Sequence, residues 1–153
     1  MVAAAQTHSA EVAVQQFLTT KQAKGTVDVR HIPFWQIRFI DCLLRDLTTV
    51  KLQTSVLHDG SLFFECQRDH GLSGNFYRSR ADVWVCVDPE TGTGYRFRLS
   101  EAQAWLADHA QPEWLTTTCI HRKDAVVSYV GYKVPLVAFR AGVKTKIIKK
   151  PAA

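Results

Sequence analysis

Between Gln36 and Thr54 the chain alternates apolar and polar residues on both sides of one reversal, a period that fits the half-buried strands of a β-hairpin. Ile40, Cys42 and Leu44 mark one arm, Val50 and Leu52 the other, and the reversal falls at Asp46-Leu47-Thr48. A three-residue turn there sets Arg45 against Thr49, Leu43 against Lys51 and Asp41 against Gln53. Asp41, Lys51 and Gln53 then share one surface, and Cys42, Leu44, Val50 and Leu52 share the other.

Around this hairpin the expected order is a helix from Ser9 to Lys24, stopped by Gly25, and a strand from Val27 to Ile32 ended by Pro33. A strand from Ser61 to Gln67 follows the turn His58-Asp59-Gly60, and Gly71 to Asn75 is a loop. Tyr77 to Ala81 reads equally as a short helix or an irregular crossing. Asp82 to Val87 is a strand, Asp88 to Gly94 a turn and Tyr95 to Leu99 another strand. Ser100 is expected to cap a helix to His109, with Gln103 completing a capping box. Val126 to Phe139 reads as β, and the tail from Lys144 to Pro151 as basic and flexible. The fold class is α/β, a central mixed sheet that begins as an antiparallel meander and is flanked by helices. Residues 1–143 form one domain and residues 144–153 a basic C-terminal tail.

A chain of 153 residues with 46% hydrophobic and 22% charged residues suffices for one domain with its own core. No apolar run reaches the roughly 18–20 residues that span a bilayer. The start lacks a signal-peptide pattern, so a cytoplasmic protein without a membrane partner is expected. Cys42, Cys66, Cys86 and Cys119 show neither metal-ligand nor redox spacing, and buried free thiols are expected. The net charge of +5 favours polyanionic partners.

The shared surface of Asp41 and Lys51 suits phosphodiester chemistry. Carboxylate oxygens hold a hard cation such as Mg²⁺, and a lysine beside them orients water or stabilises developing charge on phosphate. Glu65 and Gln67 share a face of the Ser61–Gln67 strand; if that face continues the hairpin's, Asp41, Lys51 and Glu65 converge. The same pattern also describes a solvated sheet face with an incidental ion pair.

The chain resembles small nucleases of the PD-(D/E)xK superfamily, of the phage and group I intron homing type. The resemblance is carried by Glu11 on the first helix, Asp41 before the hairpin turn, and Val50-Lys51. It continues through Gly60-Ser61-Leu62-Phe63-Phe64-Glu65, Gly71-Leu72-Ser73-Gly74, Ala81-Asp82-Val83-Trp84 and Gly131-Tyr132-Lys133-Val134-Pro135-Leu136. It covers about half the chain in the right order. It implies a restriction-endonuclease-like core and Mg²⁺-dependent cutting of double-stranded DNA. One departure stands out: two residues before Lys51, where the motif has an acid, is Thr49. Asp41 and Glu65 are the expected metal ligands, Glu11 is an alternative acid, Lys51 is the water-activating group, and Gln53 and Gln67 stay in play. Arg78, Arg80, Arg96, Arg98, Lys144 and Lys146 are the expected DNA-binding residues. Cutting both strands of a duplex points to a dimer or tetramer. The alternatives are a DNA-binding or phage assembly protein on a degenerate nuclease scaffold, and a junction resolvase.

Overall fold

The six-stranded sheet at the centre of the computed structural model takes in both ends of the described chain. The structure describes residues 14–18, 25–54, 56–57, 59–68, 72–88, 90–122 and 125–149. Strands β1 (Val27–Asp28), β2 (Cys42–Leu43), β3 (Thr49–Gln53), β6 (Val83–Val87), β7 (Gly94–Arg98) and β10 (Lys146–Ile148) lie in the order β1-β2-β3-β6-β7-β10. Only β3 and β6 run parallel; the other neighbours are antiparallel. β4 (Leu62–Arg68), β5 (Leu72–Ser73), β8 (Leu115–Arg122) and β9 (Ala125–Val134) form a second, antiparallel sheet in the order β5-β4-β9-β8. The helices are α1 (residues 14–18), α2 (Pro33–Gln36), α3 (Asn75–Arg78), α4 (Leu99–His109) and α5 (Leu136–Gly142), with a 3₁₀ turn at Pro112–Trp114. The fold is therefore mixed α/β.

β6 is buried at all five positions, as a central strand covered on both faces must be. Val83, Val85 and Val87 join Val50, Leu52, Cys42 and Ile148 in a core with Val14 and Phe17 of α1. Trp84 and Cys86 point the other way, into the larger core with Leu62, Phe64 and Val134 of the second sheet, Phe76 of α3, Leu106 of α4 and Phe139 of α5. Phe64 is its hub: its ring centroid lies 4.5 Å from Phe76, 5.4 Å from Phe139, 5.9 Å from Phe97 and 6.4 Å from Trp84. Cys42 and Cys86 are buried free thiols and Cys66 is a half-buried one; burial pushes the Cys42 thiol up to about 12.

Several expectations are corrected. The hairpin register is shifted by two residues: Cys42 pairs with Val50 and Leu43 with Thr49, so Asp41 stands opposite Lys51. The connection is longer because Leu47 adopts φ 68° and donates its N–H to Leu44 O, and Asp46 Oδ1 accepts from Thr48 N–H. An even shift preserves the faces. The first strand ends at Asp28, and Pro33 opens α2 instead of closing a strand, a position where its missing N–H costs nothing. α4 begins at Leu99 with no side-chain cap; the Gln103 amide donates to Phe76 O at 2.7 Å in place of a capping box. Tyr77 and Arg78 belong to α3, after which the chain is extended. The late β region is a hairpin, β8–β9, and the segment after Pro135 is helical. The expected tail contributes β10, paired with β7 and anchored by buried Ile148. The helix expected from Ser9 to Lys24 falls within the described residues only over 14–18, where it is helical.

Candidate functional site

Asp41 and Lys51 meet where β2 begins. The ladder brings Asp41 N–H to Val50 O at 2.8 Å; beyond that point β2 offers no further acceptor to β3. The Asp41 carboxylate substitutes for it, Oδ2 accepting the buried Leu52 N–H at 2.7 Å. Lys51 Nζ lies 3.2 Å from Asp41 Oδ2 and 3.5 Å from Oδ1, and the two side chains are only 14% and 12% exposed. Such a pair survives burial because each charge has its counter-charge and the carboxylate has a backbone donor as well. Gln53 extends the same face of β3 and is half-buried.

Thr49, two residues before Lys51, is bonded to a carboxylate. Its N–H and Oγ1–H both donate to Asp82 Oδ2 at 3.0 Å, and Asp82 N–H donates back to Thr49 Oγ1 at 2.8 Å. The cause is the parallel register, Val50 with Val83 and Lys51 with Trp84, which sets Asp82 beside Thr49. Asp82 carries no role that the sequence alone would assign, since a carboxylate supplied from a neighbouring parallel strand leaves no local signal.

Glu65 does not continue the hairpin's face. β4 belongs to the second sheet, and within it Glu65 alternates with Leu62 and Phe64, which fill the larger core, and so faces away from that core. Its side chain packs over Gly74, where a Cβ would come within 2.8 Å of Glu65 Cγ. The reason is the crossover: after β3 the chain leaves the first sheet, builds β4, β5 and α3, and returns as β6. Asp41 and Glu65, the expected ligand pair, therefore stand in different sheets. Among the described residues no three His, Cys, Asp or Glu side chains gather as a metal-ligand set. Glu11 lies outside the described residues.

The basic residues divide between the two faces of the first sheet. Lys51 pairs with Trp84 on the face toward the larger core, and Trp84 Nε1 donates to Ser79 Oγ at 3.3 Å, which puts the Ser79–Arg80 segment on that side. Arg78 and Arg80 are exposed there. Arg96 and Arg98 pair with Val85 and Val83, and Lys146 pairs with Arg96, all on the opposite face. Lys144 is exposed just before β10. The expected DNA-binding set is therefore not one surface. The Arg38 guanidinium stacks on Phe34 with Cζ 3.7 Å from the ring centroid, and the residue joins Arg78 and Arg80 in lining an open cleft of about 490 Å³.

No helix among the described residues is long and apolar enough to cross a membrane. No protein-family model, curated protein or solved structure matches the chain.

Proposed function

We propose that the chain is a double-stranded DNA endonuclease of the PD-(D/E)xK type, with a restriction-endonuclease-like core and its centre at Asp41 and Lys51. The observation that carries this reading is the 3.2 Å contact between Lys51 Nζ and Asp41 Oδ2 on adjacent strands of a meander that enters a mixed sheet. Mg²⁺ keeps several waters and is commonly held by one or two carboxylates plus phosphate oxygens, so a sparse donor set is compatible with it. Asp41 is the first such donor. Asp82, whose carboxylate stands beside Thr49, replaces Glu65 as the second acid of the site. A bound cation would neutralise charge on the scissile phosphate and acidify water.

The side chains have separable tasks. Asp41 holds the Lys51 ammonium in place. Lys51 supplies a positive charge and three N–H donors to a phosphate oxygen or to water, and this contact strengthens as negative charge accumulates. Arg78 and Arg80 grip flanking phosphates through paired N–H groups. A homodimer would bring two such centres to the two strands.

A second reading, a DNA-binding protein on the same scaffold that does not cut, is favoured by one observation. The Asp41 oxygen nearest Lys51 already accepts Leu52 N–H at 2.7 Å, a structural task that needs no chemistry. Incubation with supercoiled plasmid and genomic DNA, with Mg²⁺ and with chelator, separates the two. Metal-dependent nicking that falls by orders of magnitude in Lys51→Ala and Asp82→Asn supports the endonuclease. Retardation of DNA without cleavage under every metal condition supports the scaffold, and wild-type cleavage by both variants refutes the site.

A further inference from the structure

The turn that follows α2 is held in an unfavourable conformation, Phe39 at φ 52°, by bonds from a distant segment. Arg80 N–H donates to Arg38 O at 2.9 Å and Ser79 Oγ–H to Phe39 O at 3.0 Å. Ser79, almost wholly buried, also accepts from Ala81 N–H and Trp84 Nε1–H, both at 3.3 Å. One hydroxyl thus knits the Arg38–Phe39 turn to the chain entering β6. Between them opens the cleft lined by Ile37, Arg38, Phe39, Tyr77, Arg78 and Arg80.

Two of its arginines are held against aromatic faces. Arg38 Cζ lies 3.7 Å above the Phe34 ring and Nη1 donates to Phe34 O at 2.6 Å; Arg78 Cζ lies 4.8 Å above Phe39. A stacked guanidinium keeps N–H groups at its edge for an anion and loses little freedom on binding one. No described carboxylate pairs with Arg38, Arg78 or Arg80. Beside the arginines the cleft presents Ile37, 70% exposed, Tyr77, 44% exposed, and the exposed Ser73. The cleft is open, with a volume of about 490 Å³. A paired DNA backbone would use the arginines and leave Tyr77 and Ile37 against water.

We infer that this cleft takes a single nucleotide whose base has left the stack, its phosphate on Arg38, Arg78 and Arg80 and its base on Tyr77 and Ile37. The inference rests on the DNA-binding reading and narrows its substrate to DNA with an unpaired nucleotide. Unstacking costs least where the base is already unpaired, so such DNA is preferred over a continuous duplex. Base-on-aromatic stacking sets the size of the preference, about tenfold.

The test is fluorescence anisotropy of the full chain, in chelator, on two labelled 30-base-pair duplexes that differ by one bulged nucleotide, and the readout is the ratio of the two affinities. The wild type is expected to favour the bulged duplex about tenfold. Tyr77→Phe keeps the ring and the ratio, whereas Tyr77→Ala brings the ratio to about one. Arg78→Lys weakens both complexes by loss of the planar fork. Equal wild-type affinities, or a preference that survives Tyr77→Ala, overturn the inference while leaving duplex binding standing. Failure to bind either duplex removes the DNA reading itself.

Discussion

Replacing Asp41 tests whether the centre is held together as the geometry implies. In Asp41→Ala the buried Leu52 N–H loses its acceptor, a deficit of about 1–3 kcal/mol. The Lys51 ammonium loses its counter-charge at the same time. Breaking a fully buried pair costs about 3–5 kcal/mol, but Lys51 keeps 14% of its side-chain exposure and can turn toward water, so the lower part of that range applies. The two losses share one carboxylate and are not additive, which gives about 3 kcal/mol in total. Asp41→Asn retains an oxygen for Leu52 N–H and loses only the charge, so about half that cost is expected. Lys51→Met added to Asp41→Asn removes the stranded cation and should recover stability. Urea unfolding followed by the fluorescence of the four tryptophans measures each difference from the midpoint at constant slope. A cost below about 1 kcal/mol for Asp41→Ala would refute the reasoning, because it would mean that Leu52 N–H and Lys51 find water as good a partner. The same variants divide the site's two roles: Asp41→Asn stays folded at room temperature, and only the endonuclease reading requires that it also stop cutting.

Two further outcomes are expected. Lys133 Nζ lies 2.6 Å from Asp59 Oδ2 and, with Ser61 N–H, holds the Asp59 carboxyl down at about 2; its contribution is complete above the ordinary carboxylate value and is lost as pH falls toward 2, and Lys133→Met should raise the NMR titration midpoint of Asp59 part of the way toward the ordinary range, Ser61 N–H supplying the rest, an unmoved midpoint ruling the contact out. Phe64→Ala removes the hub of the aromatic core and should cost about 3–5 kcal/mol in chemical denaturation, whereas a cost near 1 kcal/mol would show that its neighbours collapse into the space.

Local patterns in the sequence reach as far as single elements and faces. Alternation puts Asp41 and Lys51 on one surface whatever the turn length, because a register error of two residues leaves parity intact. It cannot tell which strands are neighbours. β4 reads as a continuation of the hairpin, yet Leu62 and Phe64 pair with Val134 and Tyr132 of β9, seventy residues away, and Glu65 departs with them. The strand from Leu115 carries a β-branched run, Thr116-Thr117-Thr118, and starts directly after the 3₁₀ turn at Pro112–Trp114. Ser100 and Gln103 have capping-box spacing, but β7 extends through Arg98 and α4 starts at Leu99, two residues earlier than a cap at Ser100 would allow. Lysine content makes the segment from Lys144 read as tail, while buried Ile148 is what docks the strand Lys146–Ile148. The arginine cleft depends on a left-handed Phe39 and a bond between residues forty apart, Ser79 and Phe39, and neither leaves a mark in composition.

The first sheet closes at both margins with very short strands, two residues in β1 and three in β10, and lysines at 144, 146 and 149 accompany the latter. Such margins give a passing chain little to add to, which guards against fibre-like self-assembly. Loss of β10 would uncover β7 over Gly94–Arg98, a five-residue edge with free backbone groups along one side. Ile148 would leave the α1-side core at the same time. A chain shortened before Lys146 is thereby a candidate for intermolecular strand exchange, with the missing strand of one copy supplied by another.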